Sequence, residues 1–355
     1  IGMAQSSESG FRDLLLPMLR CVSCSSSDFD VSNEWVGPDY LGESISKSLI
    51  CSACGAAYPL TNDHIPIMWS EAMQKVAAGN ILNGQENIHA NACVYDSFSD
   101  SYDKYSRRSA EIEKRICNAA NRLLTPIRAS GGPTGDLLHL DFGCGPGHVI
   151  GWLKGFGLTQ VGLDVSLANL RNARSKTGAL VVCGDAACMP FKERAFTLVT
   201  ESAVLHHIDD WKSAVAEACR VCSANGGVLL DSEPSTGSLD WSALARFVFD
   251  LRLYVYPALS HIAKSKYMFK SREEIELNLK AEIHNQPGGG FDISEMEDLF
   301  RDNGFIAEII QSPNADLASK ASPSWKSIIL NVLSFHNPWN PEYYPFMVLA
   351  TPMGR

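Results

Sequence analysis

Between Leu137 and Leu230, five short apolar runs alternate with stretches long enough to form helices, and this alternation limits the accessible folds more than any other feature. The runs cover 137–142, 160–163, 179–183, 196–200 and 227–230, each bounded by Gly, Asp or Pro. Short, continuously apolar runs suit strands that are covered on both faces, as in a parallel sheet. Helix-length segments between them, such as 210–222, supply crossover connections. The expected architecture is therefore α/β: a doubly wound, mostly parallel sheet with helices on both faces. Runs at 305–311 and 345–351 add two strands and bring the sheet to seven. Ser294 followed by Glu297 reads as a capping box for a helix ending near Gly304.

The first run passes directly into Asp141-Phe-Gly143-Cys-Gly145-Pro-Gly147. A glycine turn between strand and helix lets backbone approach a ligand more closely than larger side chains allow. By itself the loop is weak evidence, because an ordinary strand–helix turn can look the same. Asp164 ends the next run, where a carboxylate can accept both hydroxyls of a ribose. To this point a nicotinamide-dependent dehydrogenase fits equally well.

The third and fourth runs separate the two. Gly184-Asp185-Ala186 follows the third, where a carboxylate can take the amino group of an adenine, and Met189-Pro-Phe191 offers apolar cover. The fourth leads into Ser202-Ala-Val-Leu-His206-His207-Ile-Asp-Asp210. This ordered set resembles the class I S-adenosylmethionine-dependent methyltransferases, especially the branch that includes ubiquinone- and menaquinone-biosynthesis enzymes, over roughly residues 93–235. Thr197 departs from the pattern, which often has Asp after the Phe. The resemblance implies that Asp141, Gly143, Gly145 and Gly147 hold the methionine part of the cofactor. It implies that Asp164 holds the ribose, that Asp185 and Ala186 hold the adenine, and that the peptide at Glu201-Ser202 borders the methionine carboxylate. Cys144 reads as a small filler.

Ahead of the sheet, Tyr95-Asp-Ser-Phe-Ser-Asp-Ser-Tyr102-Asp-Lys-Tyr105 resembles a segment that covers the cofactor in related enzymes, with Tyr102 as the expected contact. His206 and His207 are candidates for removing a proton from an oxygen or nitrogen acceptor. Because Leu-His-His occurs in relatives with very different acceptors, it reads first as shaping the site. His261 and His284 are further candidates in the variable helical part.

Four of eleven cysteines form two knuckles, Cys21-x-x-Cys24 and Cys51-x-x-Cys54, separated by 26 residues. Paired knuckles bring four thiolates within tetrahedral reach of one Zn2+, and such a closed site is structural. The surrounding Leu14–Arg20 and Ile65-Pro-Ile67 resemble a small zinc-ribbon family that includes the activator subunit of tRNA and protein methyltransferases. His64 stands where that family usually has Gly. Cys219 and Cys222 read as packing within one helix.

These readings divide the chain into a zinc ribbon (11–70), a helical linker and cofactor lid (71–135, broken by Pro126), a cofactor-binding core (136–235), an aromatic-rich helical roof (236–292) and a closing helix with strands (293–355). The net charge of −10 argues against an extended phosphate-binding face. The aromatic inserts point instead to a small-molecule, secondary-metabolite or glycan acceptor. An RNA methyltransferase using the ribbon for recognition, and a non-catalytic methyltransferase partner, are the alternatives. No apolar run approaches the ~18–20 residues needed to span a bilayer. Ile1-Gly2 before Met3 reads as a cloning remnant, no signal-peptide pattern follows, and the expected location is cytoplasmic.

Overall fold

The computed structural model describes residues 8–37, 44–70, 91, 110–129, 137–251, 281–311 and 325–354. Tyr102, His261 and Cys93 lie outside them, as does most of the expected lid and roof. The first described unit is a three-stranded antiparallel ribbon of β1 (Phe29–Ser32), β2 (Lys47–Cys51) and β3 (Ala57–Leu60). Helix α1 (Ala110–Ala129) leads into β4 (Leu137–Phe142), α2 (His148–Trp152), β5 (Leu158–Asp164), α3 (Leu167–Thr177) and β6 (Leu180–Cys183). Strand β7 (Phe196–Ser202), α4 (Trp211–Val221) and β8 (Cys222–Glu233) complete the parallel part. The short helices α5 (Thr236–Leu239) and α6 (Ala243–Asp250) precede α7 (Ile293–Asp302), β9 (Phe305–Gln311), α8 (Trp325–Leu333) and β10 (Phe346–Pro352).

The large sheet has seven strands in the order β6-β5-β4-β7-β8-β10-β9, with β10 antiparallel to both neighbours and the other pairs parallel. The chain first steps outward from β4 to β6 and then returns to the other side of β4. That reversal opens a crevice beyond the carboxyl ends of β4 and β7, the usual ligand position in doubly wound sheets. Helix α1 buries Ile116, Ala119, Ala120, Leu123, Leu124 and Ile127, a period that matches one helix face.

Several local expectations are corrected. Pro126 does not end α1: it sits inside the helix, one turn from its end. Proline there removes one N–H bond but need not stop the last turn, and Thr125 Oγ1 donates to the Asn121 carbonyl at 2.7 Å beside it. The cap of α7 lies two residues before the expected Ser294, because Asp292 accepts from the Glu295 N–H at 3.0 Å. Cys219 and Cys222 do not share a helix, since Cys222 already begins β8. Strands β5, β7 and β8 run past the apolar segments because buried Asp164, Glu201, Ser202, Asp231 and Glu233 continue them.

The ribbon packs on the free edge of β6. Ile67 bridges Cys183 in parallel, the Met68 N–H donates to the Cys183 carbonyl at 2.8 Å, and the Cys183 N–H donates to the Pro66 carbonyl at 2.9 Å. Asp63 receives both Arg171 and Arg174 of α3. An open sheet edge is thereby paired and covered, and the ribbon borders the strand that leads into Gly184-Asp185. No helix among the described residues is long and apolar enough to cross a membrane.

Candidate active site

The crevice holds a cavity of about 940 Å³, open mouth included, lined from every strand end the sequence singled out. Gly143, Gly145 and Gly147 take φ values of 64°, 50° and 84°, the left-handed region that favours glycine. At Gly143 the requirement is also steric: an added Cβ would lie 2.3 Å from Val204 Cγ1. Gly147 does not reach the cavity wall; its Cβ would press on Ala173, so it sets helix–helix distance instead.

Three carboxylates converge on the cavity from β4, β5 and the turn after β6. Asp164 Oδ2 accepts the Gly145 N–H at 2.8 Å, and Oδ1 accepts the Ser166 N–H at 2.9 Å. It thus ties the glycine loop to β5. Asp185 Oδ1 accepts the Ala187 N–H at 2.8 Å, and burial raises its pKa. Asp141 Oδ1 lies 2.7 Å from Thr200 Oγ1. Apolar Leu163, Val165, Ala186 and Ile208 fill the wall between them. Cys144 is a filler packed toward Gly162, where a Cβ would meet its sulfur at 2.8 Å, and burial pushes its thiol well up.

The two histidines separate. His207 lines the cavity, and its Nδ1–H donates to the Ala281 carbonyl at 3.1 Å. Burial, then the neighbouring His206, lower its pKa to about 3, so it is a neutral imidazole at ordinary pH. His206 is not in the wall: its Nδ1 is 3.0 Å from Glu233 Oε2, and its backbone N–H donates to the same oxygen at 3.1 Å. Glu201 also turns away. Its carboxylate accepts the N–H groups of Asp231 and Val204, each at 3.1 Å, while burial and Glu233 raise its pKa well up. Ser202, one residue on, reaches the wall instead.

Sequence reasoning missed Asn91, which lines the cavity and donates through Nδ2 to the His207 carbonyl at 3.1 Å. It also missed His139, Gln160 and Thr200, which join Asp141 in a buried chain. Their only signal was a polar residue inside each of three apolar strands, and strand register supplies the rest: His139 pairs with Gln160 and Asp141 with Thr200.

In the ribbon, the sulfurs of Cys21, Cys24, Cys51 and Cys54 all lie within 4.8 Å of one another. The Cys21–Cys54 and Cys24–Cys51 separations are 3.7 and 3.6 Å. A tetrahedron with Zn–S bonds of 2.3 Å has edges of about 3.8 Å, so the donor set fits that ion. Tyr58 Oη lies 3.1 Å from Cys21 Sγ and can donate to it. His64 is not part of the cluster; its ring stacks on Phe11.

Comparison with known proteins matches residues 140–230 to the family described as "Methyltransferase domain". A demethylmenaquinone methyltransferase of Thermobifida fusca (strain YX) is 30% identical over 150 residues, which cover 39% of this chain and 59% of that protein. The chain thus spans about three fifths of that relative. A demethylmenaquinone methyltransferase of Staphylococcus aureus (strain JH9) is 29% identical over 244 residues, covering 66% of this chain and 91% of that protein. Among solved structures, magnesium protoporphyrin IX methyltransferase (ChlM) of Synechocystis PCC 6803 with bound SAH aligns at 15% identity, covering 73% and 98% of the two chains, with a TM-score of 0.39. The matched segment runs from β4 into β8 of a seven-stranded doubly wound sheet, so residues 140–230 form a methyltransferase domain of the class I S-adenosylmethionine-dependent kind.

Proposed function

We propose that this chain transfers the methyl group of S-adenosylmethionine to a small-molecule, secondary-metabolite or glycan acceptor that sits against Val204, His207 and Ile208. One observation carries the reading: Asp141, Asp164 and Asp185 meet around one cavity whose glycine turn leaves no side chain in the way. In this assignment Asp141 and the Gly143 and Gly145 backbone hold the methionine part, with Ser202 in the place expected of Glu201. Asp164 holds the ribose through acceptor capacity left beyond its two backbone bonds, and Asp185 with Ala186 holds the adenine. The bound cofactor supplies a methyl group already activated on a sulfonium.

The chain's own contribution is alignment and exclusion of water. Val204, Leu163 and Ile208 provide a dry wall. His207, held neutral, adds no positive charge against a sulfonium and keeps a proton-accepting nitrogen on its ring. His206 acts through position, fixing the 204–207 segment with Glu233. Zn2+ held by Cys21, Cys24, Cys51 and Cys54 would stabilise the ribbon without taking part in chemistry.

The demethylmenaquinone acceptor named for the relatives, together with the net charge of −10, favours a small acceptor over RNA. The test follows S-adenosylhomocysteine formation over a panel of quinone-like aromatics, glycans and unmodified tRNA and rRNA. Turnover with a small acceptor is expected, and methylation confined to RNA contradicts the proposal.

A further inference from the structure

The segment from Gly184 to Phe191 brings the Asp185 carboxylate to the cavity, yet no strand or long helix holds it there. A single helical turn, Ala186–Cys188, follows Asp185. Asp185 Oδ1 accepts the Ala187 N–H at 2.8 Å, and the Asp185 carbonyl accepts the Cys188 N–H at 3.1 Å. The chain then turns inward, where Met189 and Phe191 are both 0% exposed. Buried backbone groups outside a ladder need other partners. The Phe191 N–H finds the Met189 carbonyl at 2.9 Å. At the far end, the Arg20 N–H donates to the Pro190 carbonyl and the Lys192 N–H to the Met18 carbonyl, each at 3.0 Å. The Met189 N–H and the Phe191 carbonyl are met by neither, and both turn to α4.

Glu217 and Arg220 stand three residues apart on α4 and so share one face of it. Glu217 Oε2 accepts the Met189 N–H at 2.7 Å. Arg220 Nη1 donates to the Phe191 carbonyl at 2.8 Å, and Nη2 donates to the Met189 carbonyl at 3.1 Å. The guanidinium also forks onto Glu217, Nε to Oε1 at 2.5 Å and Nη2 to Oε2 at 2.7 Å. Arg20 places a second cation 3.6 Å from Glu217 Oε2. Charge-assisted bonds of this kind are the strong ones, and the planar fork fixes several acceptors at once. Neither Glu217 nor Arg220 lines the cavity, so they act on a ligand through the backbone of 185–191.

We propose that Glu217 and Arg220 are positioning residues for purine selection: they pin Met189 and Phe191 and thereby hold Asp185 where it tells an amino purine from its oxo counterpart. The inference rests on the assignment of Asp185 to the adenine. Asp185 Oδ1 is engaged by Ala187, and the second carboxylate oxygen is the one to face the base. A carboxylate oxygen accepts from an exocyclic amine; an oxo group in the same place offers it nothing and repels it. Such discrimination requires the acceptor to be held to within about 0.5 Å. A loose turn lets Asp185 swing away from the wrong base at little cost. Loosening the brace therefore erodes selection more than affinity.

The test is calorimetry of the full chain with S-adenosylhomocysteine and with its deaminated counterpart, S-inosylhomocysteine, read as the ratio of the two Kd values. The wild type is expected to favour the adenine ligand by roughly tenfold or more. Glu217→Met removes the acceptor of the Met189 N–H, and Arg220→Met removes the fork; each should shrink that ratio about fivefold. Glu217→Gln keeps an oxygen for the Met189 N–H and should restore most of it. A merely structural role would lower both affinities and the melting temperature together and leave the ratio where it was. That result in either methionine variant overturns the proposal. Where those variants fail to fold, Arg220→Lys decides, since a lysine reaches one carbonyl and not both. Its ratio should fall as well, and an unchanged one overturns the proposal. A wild type with no preference between the two ligands overturns it too. Failure of the wild type to bind either ligand removes the cofactor assignment instead.

Discussion

At the scale of single residues, the site depends on what is absent as much as on what is present. Gly143 combines a φ of 64° with a position where a Cβ would collide with Val204. Gly143→Ala should therefore cost on the order of 1–3 kcal/mol and also push Val204 into the cavity. Thermal melting and ligand titration on that variant check both effects; unchanged affinity would show that the Gly143–Val204 approach is irrelevant to binding. The residue scale is also where the sequence was most and least readable. Asp141, Asp164 and Asp185 were visible because each follows an apolar run at a strand end. Glu201 looked equivalent by that logic, yet two backbone N–H groups capture its carboxylate on the far side of β7. His139, Gln160 and Thr200 could not be linked without strand order and register, since they lie on three strands that are adjacent only in the folded sheet.

At the scale of elements, the ribbon and the core are coupled through the edge of β6. The hydrogen bonds at Cys183 end one residue before Gly184, and Gly184-Asp185 lines the cavity. Ordering of the ribbon therefore constrains the Gly184-Asp185 side of the cavity, where the adenine is proposed to sit. Purified protein is expected to contain about one equivalent of zinc by atomic absorption. Cys51→Ser should lose it and make the ribbon more susceptible to limited proteolysis, with a melting temperature lowered by several degrees. Zinc well below one equivalent in folded, fully active protein contradicts the structural role. The cysteine pairs were legible because their spacing is a local signal. The docking of the ribbon was not, because it depends on an exposed strand edge and on Asp63 meeting Arg171 and Arg174. The cap of α7 was misplaced for a related reason: Asp292 and Ser294 are both good caps, and tertiary packing chose between them.

At the scale of the whole molecule, the mostly parallel seven-stranded architecture follows from the alternation in sequence, whereas the strand order comes only from the folded sheet and the strands' lengths from buried polar residues that the apolar runs conceal. A titratable group at the cavity also shapes stability against pH. His207 is held at about 3, below its ordinary 6.5, chiefly by burial. An unfolded chain thus binds more protons between these values, so stability is fully present above about 6.5 and falls as pH drops toward 3. Denaturant unfolding of His207→Asn should show a flatter decline across that window than the wild type; parallel curves contradict the buried neutral state. The central claim concerns which cofactor the crevice was built for, since the glycine turn and Asp164 alone suit a dinucleotide equally well. Isothermal titration of the intact protein with S-adenosylhomocysteine and, separately, with NAD+ decides between them. One equivalent of S-adenosylhomocysteine should bind, with NAD+ giving no saturable heat. Saturable binding of NAD+ without binding of S-adenosylhomocysteine would contradict the account.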